Sequence, residues 1–181
     1  MYLFMISCYF LMVINLFNFT VCGVMGIYGT SFFGANHAQF SLFAILVFVM
    51  TETIVMYFFI ATGKSIKNIL VESESPLSEE LWNKVKQIKN IIFPQVMLTI
   101  TLVGTLYVFY FGYIASNANK TEIAYSWISL PLFAVSYFHH IWTLKVKNSS
   151  FKMQIEVIDS LPVKPGSVSY THLTLPTILR V

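Results

Sequence analysis

Charged side chains are scarce in this chain. Asp, Glu, Lys and Arg make up only 10% of its 181 residues, whereas a soluble domain averages about 25%. Hydrophobic residues make up 56%, and the mean hydropathy is +0.70. This balance excludes an ordinary soluble domain and indicates an integral membrane protein.

Cysteine is also scarce, and the N-terminal apolar run lacks basic residues. Cys8 and Cys22 fall in one expected helix, so they cannot bridge each other within it and are expected to be free apolar thiols. The run over 2–28 has no basic start and is longer than the apolar part of a secretory signal, which predicts a retained span. The net charge of +3 lies mostly in lysine-rich loops, which favours membrane orientation over nucleic-acid binding.

Long apolar runs predict four membrane-spanning helices, at about 2–28, 39–62, 91–114 and 123–144. Crossing a hydrocarbon core of about 30 Å takes roughly 20 helical residues. The second run contains an acid, Glu52, which costs about 3 kcal/mol to insert, while the apolar residues around it contribute roughly 4–8 kcal/mol in favour. We therefore expect an all-α integral membrane bundle of four transmembrane helices.

The segment at about 63–93, between the second and third spans, predicts a cytoplasmic helical hairpin. Ser75 before Pro76 is typical of a helix start, and apolar residues then recur every three or four positions. The hairpin carries five lysines: Lys64, Lys67, Lys84, Lys86 and Lys89. Because cytoplasmic loops of membrane proteins are rich in lysine, this places the hairpin and both termini in the cytoplasm.

The C-terminal residues are not expected to belong to the natural protein. Residues 168–177 resemble the translated read-through of a sequencing adapter. We therefore expect 167–181 to be a non-native artefact, 151–166 to be a cytoplasmic tail, and 1–150 to be the membrane domain.

Glu52, His139 and His140 are the ionisable candidates within the expected spans, since such groups are costly in a membrane. Glu52 and His139 lie at a similar depth, roughly 21 Å below the start of their spans. If they met, each would stabilise the charged form of the other, and the pair could relay protons or bind a metal. Alternatively, Glu52 is a protonated core residue bonded to a threonine, and His140 lies near the inner interface. Asn15 is a further polar candidate, inside the first span.

The glycines Gly23, Gly26 and Gly29 recur at three-residue spacing near the end of the first span. Small residues allow close helix packing in lipid, which suggests association with other membrane subunits or with a second copy of the chain. Fraying of the helix end is the alternative.

No cofactor is expected. A bis-histidine haem needs two imidazoles at one depth on different helices. His37 lies at the outer end of the second span, whereas His139 and His140 lie in the inner half of the fourth. Adjacent histidines also point about 100° apart on a helix. A haem or metal would therefore need His139 or His140 with a non-histidine partner.

The run over 54–67, IVMYFFIATGKSIK, resembles a span end with a VMFYFIGTGK-like sequence in small uncharacterised bacterial membrane proteins. The likeness covers one helix and the general four-span layout. It implies a bacterial inner membrane and brings no activity with it. The resemblance implies a histidine near the position of Glu52, and the chain departs from it there.

Two classes of function fit these observations. The first is a non-enzymatic accessory or assembly subunit of a membrane complex, with the lipid bilayer and other subunits as partners. The second is a small electron- or proton-handling membrane protein that uses Glu52 and His139 or His140. One buried acid is little support for a pathway, which favours the first class.

Overall fold

The computed structural model describes residues 2–73, 76–117 and 123–161, and within these the chain is helical, without strands. The long helices are α1 (Tyr2–Tyr28), α2 (His37–Ser73), α3 (Ser78–Phe109) and α4 (Ser129–Asp159). A π-helical segment, Tyr110–Ile114, continues α3, and short 3-10 turns at Ala115–Asn117 and Ser126–Ile128 lie between it and α4. The expected all-α class is confirmed.

Three helices of the described chain are long and apolar enough to cross a membrane: Leu3–Tyr28, His37–Ser73 and Ser78–Asn117. The first predicted span matches the first of these helices to within one residue, and the second and third lie inside the other two. The fourth helix, α4, does not belong to this group, because polar residues recur along its length. Hydropathy alone therefore does not identify α4 as a membrane span.

The fourth helix differs from the predicted span at 123–144 and tail at 151–166. It begins at Ser129 and continues to Asp159. The extension is stabilised because Phe151 and Val157 are buried in the same apolar cluster as the hairpin. Residues 162–181, which include the expected artefact, lie outside the described residues.

The end of α2 and the start of α3 form a helical hairpin. The hydroxyls of Ser73 and Ser78 both donate to the carbonyl of Leu70, at 3.0 and 3.2 Å, and so satisfy one of the free carbonyls at the end of α2. The helix start differs from the prediction, since α3 begins at Ser78 with Leu77 as its N-cap and Pro76 lies in the turn. Ser75 lies outside the described residues.

The main apolar cluster lies at the hairpin end of the bundle, which we define as the end at Ser73, Ser78 and Asp159. All four helices contribute to it. Its fully buried members include Val55, Phe59, Ile66, Leu81, Val85, Ile88, Ile92, Val96 and Phe151. The hairpin therefore packs against α4 and does not stand alone. The opposite end, at Tyr28, His37 and Ser129, is called the far end below.

The three glycines of α1 have different environments. A Cβ at Gly23 would overlap the ring of Phe133, and one at Gly26 would lie 3.3 Å from the ring of His37. Gly29 follows the helix with a φ of +63°, and its N–H donates to the Met25 carbonyl at 2.9 Å. No described atom lies within 4 Å of a Cβ built there. Gly23 and Gly26 thus serve packing within the chain, while Gly29 ends the helix.

Candidate functional site

A buried ion pair joins the middle of α2 to α4. The Nζ of Lys147 donates to both carboxylate oxygens of Glu52 at 2.6 Å. The two side chains are 0% and 2% exposed. Taking charges out of water is costly, and bidentate pairing offsets part of this cost. Each residue therefore makes the burial of the other tolerable.

The two residues meet because their helices start at the same end of the bundle. At about 1.5 Å per residue, Glu52 lies roughly 22 Å along α2 from His37, and Lys147 lies roughly 27 Å along α4 from Ser129. The sequence pointed to His139 as the partner of Glu52, at a similar depth. In the structure the carboxylate is paired with Lys147, about two turns further along α4.

The inward side of α4 is polar along most of its length, and we call this set the polar face of α4. Its members recur every three or four positions, and all are buried: Ser136, His140, Thr143, Lys147, Ser150 and Gln154. The outward side is apolar and exposed, with Leu130, Val135, Phe138 and Trp142. The arrangement is the inverse of a water-soluble helix, which buries its apolar side.

His139 belongs to a cluster of hydroxyl groups instead of the ion pair. Its Nδ1 lies 3.0 Å from the Oγ1 of Thr99 and 3.4 Å from that of Thr143. The two threonine hydroxyls lie 2.7 Å apart. No hydrogen bond or ion pair of the described residues joins His139 to Glu52. The cluster ties α3 to α4 next to the polar face.

His140 is fully buried, and neither ring nitrogen has a hydrogen-bond partner among the described residues. Its ring packs against Phe19 and Phe48, with centroids 5.7 and 6.1 Å apart. The side chain thus lies in the interior of the bundle, and its expected place near the inner interface stays a prediction. An imidazole has one donor and one acceptor in its neutral form, so His140 keeps both available.

Further polar atoms in the interior also have no partner among the described residues. They are the amide nitrogens of Asn15, Asn18 and Gln154 and the hydroxyl of Ser150. Asn15 and Phe19 line a cavity of about 10 Å³, close to the volume that one water molecule needs. The interior thus contains unsatisfied polar groups on either side of the ion pair along the bundle.

Lys147 is the residue that sequence reasoning missed. It follows the predicted end of the fourth span at about 144, and the expected site residues do not include it. The spacing of His140, Thr143, Lys147, Ser150 and Gln154 places them on one helical face, and this pattern was available in the sequence. It would have indicated that Lys147 shares its environment with His140.

The hairpin lysines, unlike Lys147, lie at the surface. Lys64, Lys67, Lys84 and Lys86 are exposed, and Lys89 is partly buried. Lys84 pairs with Glu80 at 2.8 Å across one helical turn. An exposed pair of this kind contributes little to stability.

Metal-ligating side chains do not converge in the part of the chain that the structure describes. No group of three or more His, Cys, Asp or Glu residues is placed there to hold an ion. Cys8 and Cys22 are buried free thiols on different levels of α1. The candidate functional site is therefore the ion pair with its polar neighbours.

Comparison with protein-family models, with curated proteins and with solved structures finds no match for this chain. The functional argument consequently depends on the geometry of the interior.

Proposed function

We propose that the chain is a four-span protein of a bacterial inner membrane, with both termini in the cytoplasm. The exposed apolar side of α4, from Leu130 to Trp142, supports its placement in lipid as the fourth span. Its polar face needs no contact with lipid, because the other helices cover it. The exposed lysines of the hairpin end support the orientation, since cytoplasmic loops are rich in lysine.

We propose further that this protein handles protons at the Glu52–Lys147 pair. The observation that carries the proposal is the buried ion pair, on the same face of α4 as the unpartnered His140. Ionisable residues inside a membrane are rare and mark ion paths and proton relays. A single buried acid gives little support for a proton pathway. An acid together with a buried lysine and an imidazole without a hydrogen-bond partner among the described residues forms a series of titratable groups.

A proton can move between the two side chains of the pair without a change in their net charge. A proton that moves from the Nζ of Lys147 to a carboxylate oxygen of Glu52 converts an ammonium and a carboxylate into an amine and a carboxylic acid. Both forms are neutral overall, so the step moves no net charge into the low-dielectric interior. Lys147 then accepts the next proton, and Glu52 releases the first.

His140 extends this chain toward the far end. It precedes Lys147 by two helical turns on α4, about 10 Å, so water must bridge the gap. The small cavity beside Asn15 has about the volume of one water, and Phe19 in its lining also packs against His140. Toward the hairpin end, Ser150 and Gln154 continue the polar face.

Proton flux into sealed vesicles tests the proposal. The protein is placed in liposomes that contain a pH-sensitive dye, and a potassium gradient with valinomycin drives protons inward. We expect flux at least several-fold above protein-free liposomes, and loss of that excess in Glu52→Gln. Lys145→Met is the matched control, because Lys145 is exposed and lies two residues from Lys147. Flux that equals the protein-free background in the wild type would overturn the proposal.

The second candidate function is that of a non-enzymatic accessory or assembly subunit. The hairpin surface favours it, because the Nζ atoms of Lys67 and Lys86 lie 5.7 and 5.8 Å from the centroid of the Trp82 ring. An acidic segment of a partner subunit would complement this basic and aromatic surface. Cross-linking in native membranes should give a hetero-complex that Lys67→Glu with Lys86→Glu abolishes, and detection of the monomer alone would count against this role.

A further inference from the structure

We propose that the far end of the bundle holds a binding site for a flat, lipid-soluble ring with carbonyl oxygens, the chemistry of a membrane quinone. A cavity of about 470 Å³ lies there, with walls from all four long helices. Small-molecule sites typically measure about 300–1,000 Å³. The proposal concerns binding only and does not depend on proton handling by the ion pair.

Aromatic rings form the walls of the cavity. Phe19, Tyr107, Tyr110 and Phe133 contribute rings from three segments, α1, the α3–π-helix region and α4. Such rings favour offset or edge-on contact with another flat ring. Gly26 lines the cavity with its backbone, so no side chain of α1 fills the space at that position.

One wall of the cavity carries hydroxyl groups with weak partners. The Oγ of Ser41 lies 3.8 Å from the Sγ of Cys22, and the phenol oxygen of Tyr107 lies 3.9 Å from the same sulfur. Sulfur is a weak acceptor, so both hydroxyls keep the capacity to donate to a stronger one. A ligand carbonyl oxygen is such an acceptor, and its hydrogen bonds would satisfy groups that are otherwise poorly paired.

His37 adds a further polar group to the same wall. Its ring lines the cavity and lies against the ring of Tyr110, with centroids 4.7 Å apart. A neutral imidazole carries one donor and one acceptor. Together with Ser41 and Tyr107, the imidazole would hold an oxygen-bearing ring in one orientation.

The rim of the cavity selects a lipid-soluble ligand. Ile27 and Leu130 line it and are more than half exposed, so its entrance is apolar. The lining residues that the structure describes include no Asp, Glu, Lys or Arg. A phosphate or a carboxylate would therefore find no counter-charge, while an uncharged ring would be accommodated.

The backbone of the wall is also unusual. The π-helical segment Tyr110–Ile114 borders the cavity through both of its end residues. Single π-helical turns are rare and occur frequently at functional sites. The irregular turn and the polar wall thus coincide at one place.

Equilibrium binding to the full chain in nanodiscs tests the proposal, with empty nanodiscs as the background. The probe is 2,3-dimethyl-1,4-naphthoquinone, whose two methyl groups block addition of the Cys22 thiol to the ring. The comparison ligand is 2,3-dimethylnaphthalene, which has the same ring shape and no oxygen. We expect saturable binding of the quinone at one site per chain, about tenfold tighter than the hydrocarbon, since the carbonyl gains hydrogen bonds.

Two variants separate the contributions of cavity volume and of hydrogen bonding to the ligand affinity. Gly26→Leu adds a side chain to the cavity beside His37 and should reduce the affinity for both ligands at least tenfold, whereas Gly104→Leu lies outside the cavity and should leave both unchanged. Tyr107→Phe keeps the ring and should remove most of the preference for the quinone. Absence of saturable quinone binding, or equal affinity for the two ligands in the wild type, would overturn the proposal. Unchanged binding in both Gly26→Leu and Tyr107→Phe would overturn this location.

Discussion

At the residue scale, Glu52 and Lys147 stabilise the bundle only as a pair. Lys147→Met leaves the carboxylate buried without its partner, and this should reduce the free energy of unfolding by about 3–5 kcal/mol. The double variant Glu52→Gln with Lys147→Met removes both charges and should recover most of that loss. Reversible unfolding in mixed micelles measures the wild type, both single variants and the double variant.

Lys145→Met is the control for this experiment, because its side chain is exposed and changes at such positions usually shift stability by less than about 0.5 kcal/mol. A double variant as unstable as the sum of its two single variants would contradict the pairing. Such additivity is expected only of residues that do not interact.

Gly23 and Gly104 both lie inside long helices but differ in their surroundings. Gly23→Ala must displace the ring of Phe133 and should destabilise the protein by about 1–3 kcal/mol. At Gly104 no described atom lies within 4 Å of the new Cβ, so Gly104→Ala should be neutral or stabilise by up to about 1 kcal/mol through helix propensity. Thermal unfolding in detergent ranks the two variants, and equal effects would exclude the proposed contact.

The residues of the interior differ in how far the sequence predicts them. Glu52 stands out as the one acid in an apolar run, so its burial was expected. Lys147 does not stand out, because it lies between Lys145 and Lys152 in a segment that reads as a basic flank. Composition alone cannot separate a buried lysine from exposed ones, and only the helical phase it shares with His140 does so.

At the element scale, α4 carries features of both a membrane span and a soluble helix. Its first half exposes Leu130 and Phe138, and its second half packs against the hairpin through Phe151. The predicted end of the span at 144 marks the place where the outward side becomes polar. The helix itself continues, because its second half makes apolar contacts with the hairpin.

Phe151 tests the role of this extension. It is fully buried, and its ring lies 5.0 and 4.9 Å from those of Phe58 and Phe59. Phe151→Ala should cost about 3–5 kcal/mol. Hydrogen exchange should accelerate in the hairpin part of α2 and α3, and not at the far end.

The exposed neighbour Lys152 supplies the control, as Lys152→Ala removes a side chain outside the core. Exchange in the hairpin that stays slow in Phe151→Ala would show that the hairpin is stable without α4. The hairpin would then be an independent unit, contrary to the shared apolar cluster.

At the scale of the whole molecule, the elements were easier to predict than their partners. Apolar runs locate α1, α2 and α3 because the lipid imposes their composition. The far-end cavity has no counterpart in the sequence, since its residues come from distant segments such as Cys22, Ser41 and Tyr107. Packing of that kind depends on helix rotation, which hydropathy does not determine.

The proposed topology gives a further expectation for the whole molecule. Green fluorescent protein folds in the cytoplasm and not when it is exported through the general secretion route, so its fusion after Leu161 should fluoresce. A fusion within the loop between α1 and α2, at Gly34, should remain dark. Fluorescence from the second fusion with a dark first one would reverse the orientation.

The polar face of α4 also has a consequence for the assembly of the protein during synthesis. Glu52 and Lys147 are separated by 95 positions, so the acid leaves the ribosome long before its partner exists. At about 5–20 residues per second, the delay is roughly 5–20 s. In the proposed topology α2 enters the bilayer with its acid before Lys147 is made, because its apolar residues outweigh the cost of one acid. If that topology holds, we expect α4 to join the bundle after α2, the helix that carries the partner of its lysine.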